Sequence, residues 1–330
     1  MYNLELDKTR KFIVGVDLGG TNVRAAVCTF DGRIQGDAKL DSFAMDGLDA
    51  TIRQIISAIR EAIAKAGISI SEVVGVGMGI PGHHKSREGI VLWSPNFKDW
   101  NGVQLLAPIR TELGVPVLMG NDANVAALGE FHFGAGRGTN TMVMMTLGTG
   151  VGGGIILNGR LWLGANEGAA EIGHIIIQAD GPRCSCGRHG CVEALARRDA
   201  IIDRAARKML QGRQSILLEQ VNNIVWDVTP AMIAKAAQEG DEVAVETMAE
   251  TGYYVGLGVA SAVNMLNPDM VVIGGGISMA GEPLWGPLLR TFKTNALHAS
   301  QSVCQIVSAE LGDDAGVMGG VTLMLHEMEG

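Results

Sequence analysis

Between Glu171 and Glu193 the sequence reads EIGHIIIQADGPRCSCGRHGCVE, with one histidine and three cysteines inside eighteen residues. His174, Cys184, Cys186 and Cys191 form the pattern H-x9-C-x-C-x4-C, a soft ligand set suited to tetrahedral zinc. Gly181, Gly187 and Gly190 give one loop the tight backbone it needs to wrap an ion. Four ligands close the coordination sphere, so a structural ion is expected rather than one that activates water. The competing reading is a loop of reduced thiols beside a core histidine. Four ligands in one short segment favour the metal. Cys28 and Cys304 lie in apolar runs and read as core residues.

Two glycine turns carry a second kind of chemistry. Asp17-Leu-Gly-Gly-Thr21, with Gly19 and Gly20, lets a phosphate approach backbone N–H groups, and Thr21 adds a hydroxyl donor. Asp17 is placed to hold Mg²⁺, directly or through water. Thr146-Leu-Gly-Thr-Gly150 offers the same equipment later in the chain through Gly148, Thr149 and Gly150. Either turn alone is a weak signal, since such turns often only join strands; two copies are stronger. A third run, VVIGGGIS (271–278), suits close approach to a nucleoside at Gly275 and Gly276, or is a plain strand-to-helix turn. In GNDAN (120–124) a carboxylate follows a strand, where α/β proteins bind ligands. Asp122 is therefore a candidate general base, with Asn121 as a hydroxyl-reading amide. Asp122 as a helix N-cap is the alternative. His83 and His84 read as solvated loop residues.

The elements that must position these groups are legible in outline. FIVGVD, the glycine turn and VRAAVCTF read as strand, turn, strand. Ile52, Ile55, Ile56, Ile59 and Ile63 follow helical spacing, closed by Gly67. VVGVGMG (73–79) and VPVLMG (115–120) read as buried strands of the parallel type. From Thr141 the opening logic repeats, the later hairpin being two residues shorter from Leu-Gly to Asn-Gly-Arg. Thr229-Pro230 and Asp241-Glu242 start helices, QIVSAEL is a strand, and a Gly/Ala-rich helix begins near Ala315. The charge-free stretch Thr251 to Pro268 continues a polar helix and so reads as buried rather than membrane-spanning. The sum is a duplicated α/β unit.

Composition narrows the function. A net charge of −9 argues against a nucleic-acid binder, and 5% aromatic residues give no base-stacking platform. The opening MYNLELDKTRK is charged and polar, so a cytosolic protein without membrane association is expected, with thiols reduced.

The motifs DLGGTN, GIPG with WSPNF, GNDANVAALGE, TLGTGVGGG, EIGH with CSCGRHGCVE, and VVIGGGI with LGDDAGVMGG span nearly the whole chain. In this order they resemble sugar kinases of the ROK family (repressors, open reading frames, kinases), most of all its bacterial glucokinases. The resemblance implies a duplicated actin-like ATPase fold, ribonuclease H-like and of the hexokinase type. It has two lobes, with ATP and sugar in the cleft between them. A small lobe over 1–122, completed by a helix at about 313–330, and a large lobe over 123–312 are expected. Glu171, His174 and Glu193 match residues that contact the sugar, as do Gly82, Asn96, Asn121 and Asp122. Asp122 would take the proton of the 6-hydroxyl as it attacks the γ-phosphate. Zinc would pin the loop whose carboxylates read the sugar, and Mg²⁺ would offset phosphate charge.

Asn22 departs from the lysine common in the family, Ala170 from a glycine, and Arg197-Arg198 from small or hydroxyl residues. Glucose is the expected substrate, with N-acetylmannosamine or fructose as alternatives. The family's repressors carry a helix-turn-helix domain ahead of the first glycine turn. Only eleven residues precede Phe12 here, so a sugar-sensing regulator is the less favoured reading. A homodimer is the family expectation.

Overall fold

Runs of β-branched residues and alanine shape β1 (Phe12–Leu18) and β2 (Asn22–Thr29), and a mostly polar strand, β3 (Ile34–Asp41), follows. The computed structural model describes residues 7, 9–95 and 97–329. The chain continues through α1 (Leu48–Ala66), β4 (Val73–Ile80), β5 (His83–Lys85), β6 (Ile90–Trp93) and β7 (Val103–Gln104). Next come α2 (Leu106–Leu113), β8 (Val117–Asn121) and α3 (Asp122–Phe133). The main sheet has the order β3-β2-β1-β4-β8, antiparallel over its first three strands and parallel from β1 to β8. Every residue of β4 is buried, as its unbroken apolar run demands of a strand covered on both faces. The isoleucines of α1 cover one face, and Gly67 ends that helix in the left-handed conformation.

The second half runs β9 (Met142–Leu147), β10 (Val151–Leu157), β11 (Arg160–Leu161), α4 (Val192–Ala196), α5 (Arg198–Leu210) and α6 (Leu217–Gln220). It continues as α7 (Pro230–Gln238), α8 (Glu242–Leu266), β12 (Met270–Gly274), α9 (Glu282–Asn295), α10 (His298–Gln301), β13 (Gln305–Ser308) and α11 (Ala315–Glu329). Its sheet, β11-β10-β9-β12-β13, repeats the order of the first. Thr229 and Asp241 cap α7 and α8 through their side chains, as their positions predict. The stretch Thr251–Pro268 falls largely within α8, and among the described residues no helix is long and apolar enough to cross a membrane.

Two compact units result. One comprises Met1–Gly138, Gly154–Ala170 and Glu310–Gly330, the other Thr139–Gly153 and Glu171–Ala309. In the first, α11 closes the sheet face opposite α1 by backbone-to-backbone contact. A Cβ on Gly15 of β1 would lie 1.9 Å from the Val317 carbonyl oxygen, and one on Gly77 of β4 would lie 2.0 Å from that of Gly320. A Cβ on Gly319 would lie 1.7 Å from the carbonyl oxygen of Val125 in α3. Only glycine permits such approach.

The histidine pair departs from expectation. His83 and His84 lie in β5, part of a small sheet β5-β6-β7, rather than in a solvated loop. Strand alternation turns His84 inward, leaving it 3% exposed, and burial pushes its imidazole down to about 4. A three-residue strand of polar residues leaves no periodic signal to read.

Candidate active site and metal centre

The first glycine turn joins β1 to β2 and is closed by the Gly19 N–H donating to the Asn22 carbonyl at 2.8 Å. Gly20 and Thr21 form its exposed tip, and the Thr21 carbonyl accepts from the Ser42 N–H. Asp17 lies below the tip, paired in the sheet with Arg24 of β2 and Gly79 of β4. Gly316 of α11 packs against its side chain so closely that a Cβ there would sit 2.5 Å from the Asp17 Cγ. Burial, and next the charge of Asp122, raise the Asp17 carboxyl to about 6, with Arg24 acting against them. Arg24 itself is held by Asp314 at 2.5 Å and Asp37 at 3.5 Å.

Asp122 stands at the end of β8 and is the first residue of α3. The cap is Asn121, whose side chain accepts from the N–H groups of Ala123 and Asn124 at 3.0 and 3.2 Å. The cap reading is thereby corrected: capping belongs to Asn121, and the Asp122 carboxylate accepts from the adjacent Ala123 N–H at 2.9 Å. The Asn121 amide also donates to the Gly82 carbonyl at 3.3 Å, which brings the GIPG loop to the end of β8. Gly82 has φ +107°, and a Cβ there would lie 2.1 Å from the Trp93 carbonyl oxygen. Asn96 lies outside the described residues.

In the second unit His174, Cys184, Cys186 and Cys191 converge, their ligand atoms all within 4.8 Å of one another. Zn–S bonds of about 2.3 Å in a tetrahedron imply S···S edges of about 3.8 Å. The Cys186 and Cys191 sulfurs are 3.7 Å apart, and Cys184 Sγ is 3.6 Å from His174 Nδ1. These distances match the edges expected of a zinc tetrahedron and are far longer than a disulfide bond. Burial, then the neighbouring Cys186 and Cys184 thiols, push Cys191 up to about 12, the penalty of crowding sulfurs that a divalent cation would reverse. With Nδ1 directed at the sulfurs, His174 turns Nε2 toward Glu171 Oε2 at 3.8 Å. Gly190 has φ +68° and passes so close to the Gln178 carbonyl that no side chain fits.

The second glycine turn, Gly148 to Gly150 between β9 and β10, closes through the Gly148 N–H donating to the Gly150 carbonyl at 2.9 Å. Glu193, on α4 just after the last cysteine, accepts from the Val151 N–H at 3.2 Å. Its other oxygen accepts from the Ser185 hydroxyl at 2.7 Å. The Arg198 N–H donates to the Gly148 carbonyl at 2.9 Å. Gly275 has φ +85°, and a Cβ there would lie 2.3 Å from the Leu147 carbonyl oxygen, while Gly276 is open. The first glycine of this pair thus serves packing, and the second leaves room for a ligand.

Three supporting residues were not legible as such. Ser185 sits between two ligands yet orients Glu193. Arg204, on α5, donates to the Leu195 carbonyl and the Thr251 hydroxyl, both at 2.5 Å, and so holds the far end of α4. Ala170, which precedes Glu171, has φ +66°, a left-handed conformation that explains why glycine suits this position.

The ROK family model matches residues 13–327. The chain is 35% identical over 318 residues to a glucokinase of Thermotoga maritima, covering 96% of this chain and 98% of that protein. It is 30% identical over 325 residues to a xylose repressor of Caldicellulosiruptor bescii, covering 98% of this chain and 81% of the repressor. Among solved structures, a ROK family glucokinase from Streptomyces griseus in complex with glucose and AMPPNP superposes with a TM-score of 0.81 at 33% identity, covering 94% of this chain and 98% of that one. With the glycine turns, the cysteine–histidine cluster and the doubled sheet order all in place, this chain belongs to the ROK family.

Proposed function

We propose that this protein transfers the γ-phosphoryl group of ATP to the 6-hydroxyl of a hexose, and that the hexose is glucose. The observation that carries the reading is the pair of carboxylates at the ends of the parallel strands β1 and β8. Asp17 and Asp122 are near enough for one to raise the pKa of the other, and Asn121 relieves Asp122 of capping. Asp122 accepts the hydroxyl proton as the oxygen attacks phosphorus, a role worth about 10²–10⁴-fold. Asp17 is the residue to hold Mg²⁺, which offsets phosphate charge. Burial and Asp122 make its charged form unfavourable without a cation, so the site fits one. The turns at Gly19–Asn22 and Gly148–Gly150, with Gly275 and Gly276, receive the nucleotide through backbone N–H groups.

Glu171, His174 and Glu193 read the sugar hydroxyls, together with Gly82, Asn96 and Asn121. His174, Cys184, Cys186 and Cys191 hold structural zinc, which supplies rigidity rather than chemistry. Identities of 35% and 33% to two glucokinases support glucose. We also propose that the enzyme is a cytosolic homodimer. A panel of glucose, N-acetylmannosamine, fructose and mannose with ATP and Mg²⁺, coupled to ADP release, tests this. Glucose should give the largest kcat/KM. ADP release at background with every sugar would leave a sugar-sensing regulator, the role suggested by the name of the xylose repressor. Within the site, Glu171→Gln should weaken glucose binding by about 1–3 kcal/mol, the scale of a charged hydrogen bond losing its match. Calorimetric titration checks it.

A further inference from the structure

The second glycine turn does not stand alone. Its braces include contacts from the segment assigned to the metal and the sugar and one from just beyond α4. The Glu193 carboxylate lies directly on it: Oε2 accepts from the Val151 N–H at 3.2 Å, and a Cβ on Gly150 would fall 2.7 Å from that oxygen. Gly173, between Glu171 and His174, approaches so closely that a Cβ there would lie 2.0 Å from the Val151 carbonyl oxygen. From the other end of α4, the Arg198 N–H holds the Gly148 carbonyl at 2.9 Å. The Ser185 hydroxyl, between two of the cysteines, donates to Glu193 Oε1 at 2.7 Å and fixes the carboxylate from the loop side.

From this geometry we infer that Glu193 is a positioning residue for the nucleotide turn as well as a reader of sugar. Its carboxylate couples sugar binding to phosphate binding within the second unit. The inference rests on the assignment of the sugar to Glu171 and Glu193 and of phosphate to Gly148–Gly150. A carboxylate has about four lone-pair sites, and three are engaged here, by the Val151 N–H, the Ser185 hydroxyl and the Cys184 Sγ at 3.5 Å, which leaves acceptor capacity for a sugar hydroxyl. A hydroxyl bound there fixes the carboxylate further, and through the Val151 N–H fixes the turn. Coupling between two ligands is reciprocal, so nucleotide seated in the turn must tighten sugar by the same factor.

The test measures AMPPNP with Mg²⁺ without sugar, and glucose without nucleotide, by calorimetry on variants of equal zinc content. Glu193→Ala should weaken AMPPNP about 5–10-fold, the scale of losing one ordinary hydrogen bond, since the carboxylate acts on the turn and not on the nucleotide itself. Glu193→Gln keeps an oxygen for the Val151 N–H and an amide for Ser185, so AMPPNP should bind within about twofold of wild type or tighter. Glu171→Ala should leave AMPPNP unchanged. Gly150→Ala puts a methyl against Glu193 Oε2 and should weaken glucose even with no nucleotide present.

Wild-type AMPPNP affinity in Glu193→Ala, or equal losses in the Ala and Gln variants, would overturn the coupling. Should Glu193→Ala fail to fold or to hold zinc, the glucose arm of Gly150→Ala decides alone: unchanged glucose affinity overturns the proposal. If Glu171→Ala and Glu193→Ala both bind glucose normally, the sugar assignment itself falls.

Discussion

The two glycine turns look like copies in sequence, yet the molecule supports them in different ways. The first, at Gly19–Asn22, rests on its own unit: Asp17 lies beneath it, α11 packs on Asp17 through Gly316, and Arg24 is held by Asp314 and Asp37. The second, at Gly148–Gly150, has no acidic residue at the matching place, which Thr146 occupies. Its carboxylate arrives from α4, more than forty residues later in the chain, carried on a loop that the cysteines and His174 fold. A duplicated hairpin has thus been given two jobs by its supports. One turn is backed by the carboxylate proposed to hold a cation, the other by a carboxylate on the loop proposed to read the sugar.

The largest effect should come from the first unit. Asp122→Asn leaves the Asn121 cap in place and should lower kcat by at least about 10²-fold. The unfolding temperature should stay within a few degrees of wild type, since the favourable charge lost at the helix start, about 0.3–1 kcal/mol, is offset by relief of its repulsion with Asp17. Coupled ADP release and thermal unfolding on one preparation check both; kcat within a few-fold of wild type would remove Asp122 from the chemistry.

Next in size is the second support. Cys184→Ser should release zinc and weaken glucose and AMPPNP together, each by at least about tenfold, because loop folding is coupled to the metal. Metal analysis well below one equivalent in the wild type, with thiols oxidised, would break the contrast between the turns at its root.

A smaller effect separates the two carboxylates by pH. The folded Asp17 carboxyl, raised to about 6, holds its proton over a range where the unfolded chain, near 3.8, has released it. Its contribution to stability is therefore complete below the unfolded value and is lost as pH rises through about 6. In Mg²⁺-free buffer the wild type should lose on the order of 1–3 kcal/mol between pH 4 and 7 relative to Asp17→Asn. Added Mg²⁺ should restore part of it. Denaturant titration at three pH values measures the difference, and parallel curves for the two proteins would contradict the burial of Asp17.

The smallest expected change is at Ala170. Ala170→Gly relieves a left-handed alanine at about 1 kcal/mol, offset in part by the greater freedom of glycine in the unfolded chain. Stability should rise by less than about 1 kcal/mol, while KM for glucose rises slightly as Glu171 is held less firmly. Steady-state kinetics at varied glucose detect the second effect; a fall in stability would show that residue 170 is not strained.

What could be read from sequence depended on how far apart the cooperating residues lie. The metal ligands fall within eighteen residues, and four soft donors at that density announce themselves. Asp122 was legible as a carboxylate after a buried strand, but only the geometry of Asn121 shows that the cap of α3 is not Asp122. Arg204 could not be found: its partners Leu195 and Thr251 lie on two other helices, and an arginine in a basic helix looks like any solvated charge. His84 was missed because a strand of three polar residues has too short a period to show. Glu193 was expected to read sugar, while its bond to Val151 spans 42 residues and no local pattern encodes it.

The glycine-to-backbone packing of α11 also bears on the order in which the protein is made. Among the described residues it is α11 that packs on the first sheet at Gly15 and Gly77, and that helix follows every other described element in the chain. Synthesis proceeds at about 5–20 residues per second, so β1, β4 and β8 wait while everything between is translated. Throughout that interval a groove lined by bare glycine backbone stays open, available to any chaperone or stray helix with small residues on one side. The second unit, whose elements are all complete before α11 emerges, does not wait. A nascent chain stalled before Ala315 should therefore protect β9, β12 and α8 from protease while β1 and β4 remain cleavable.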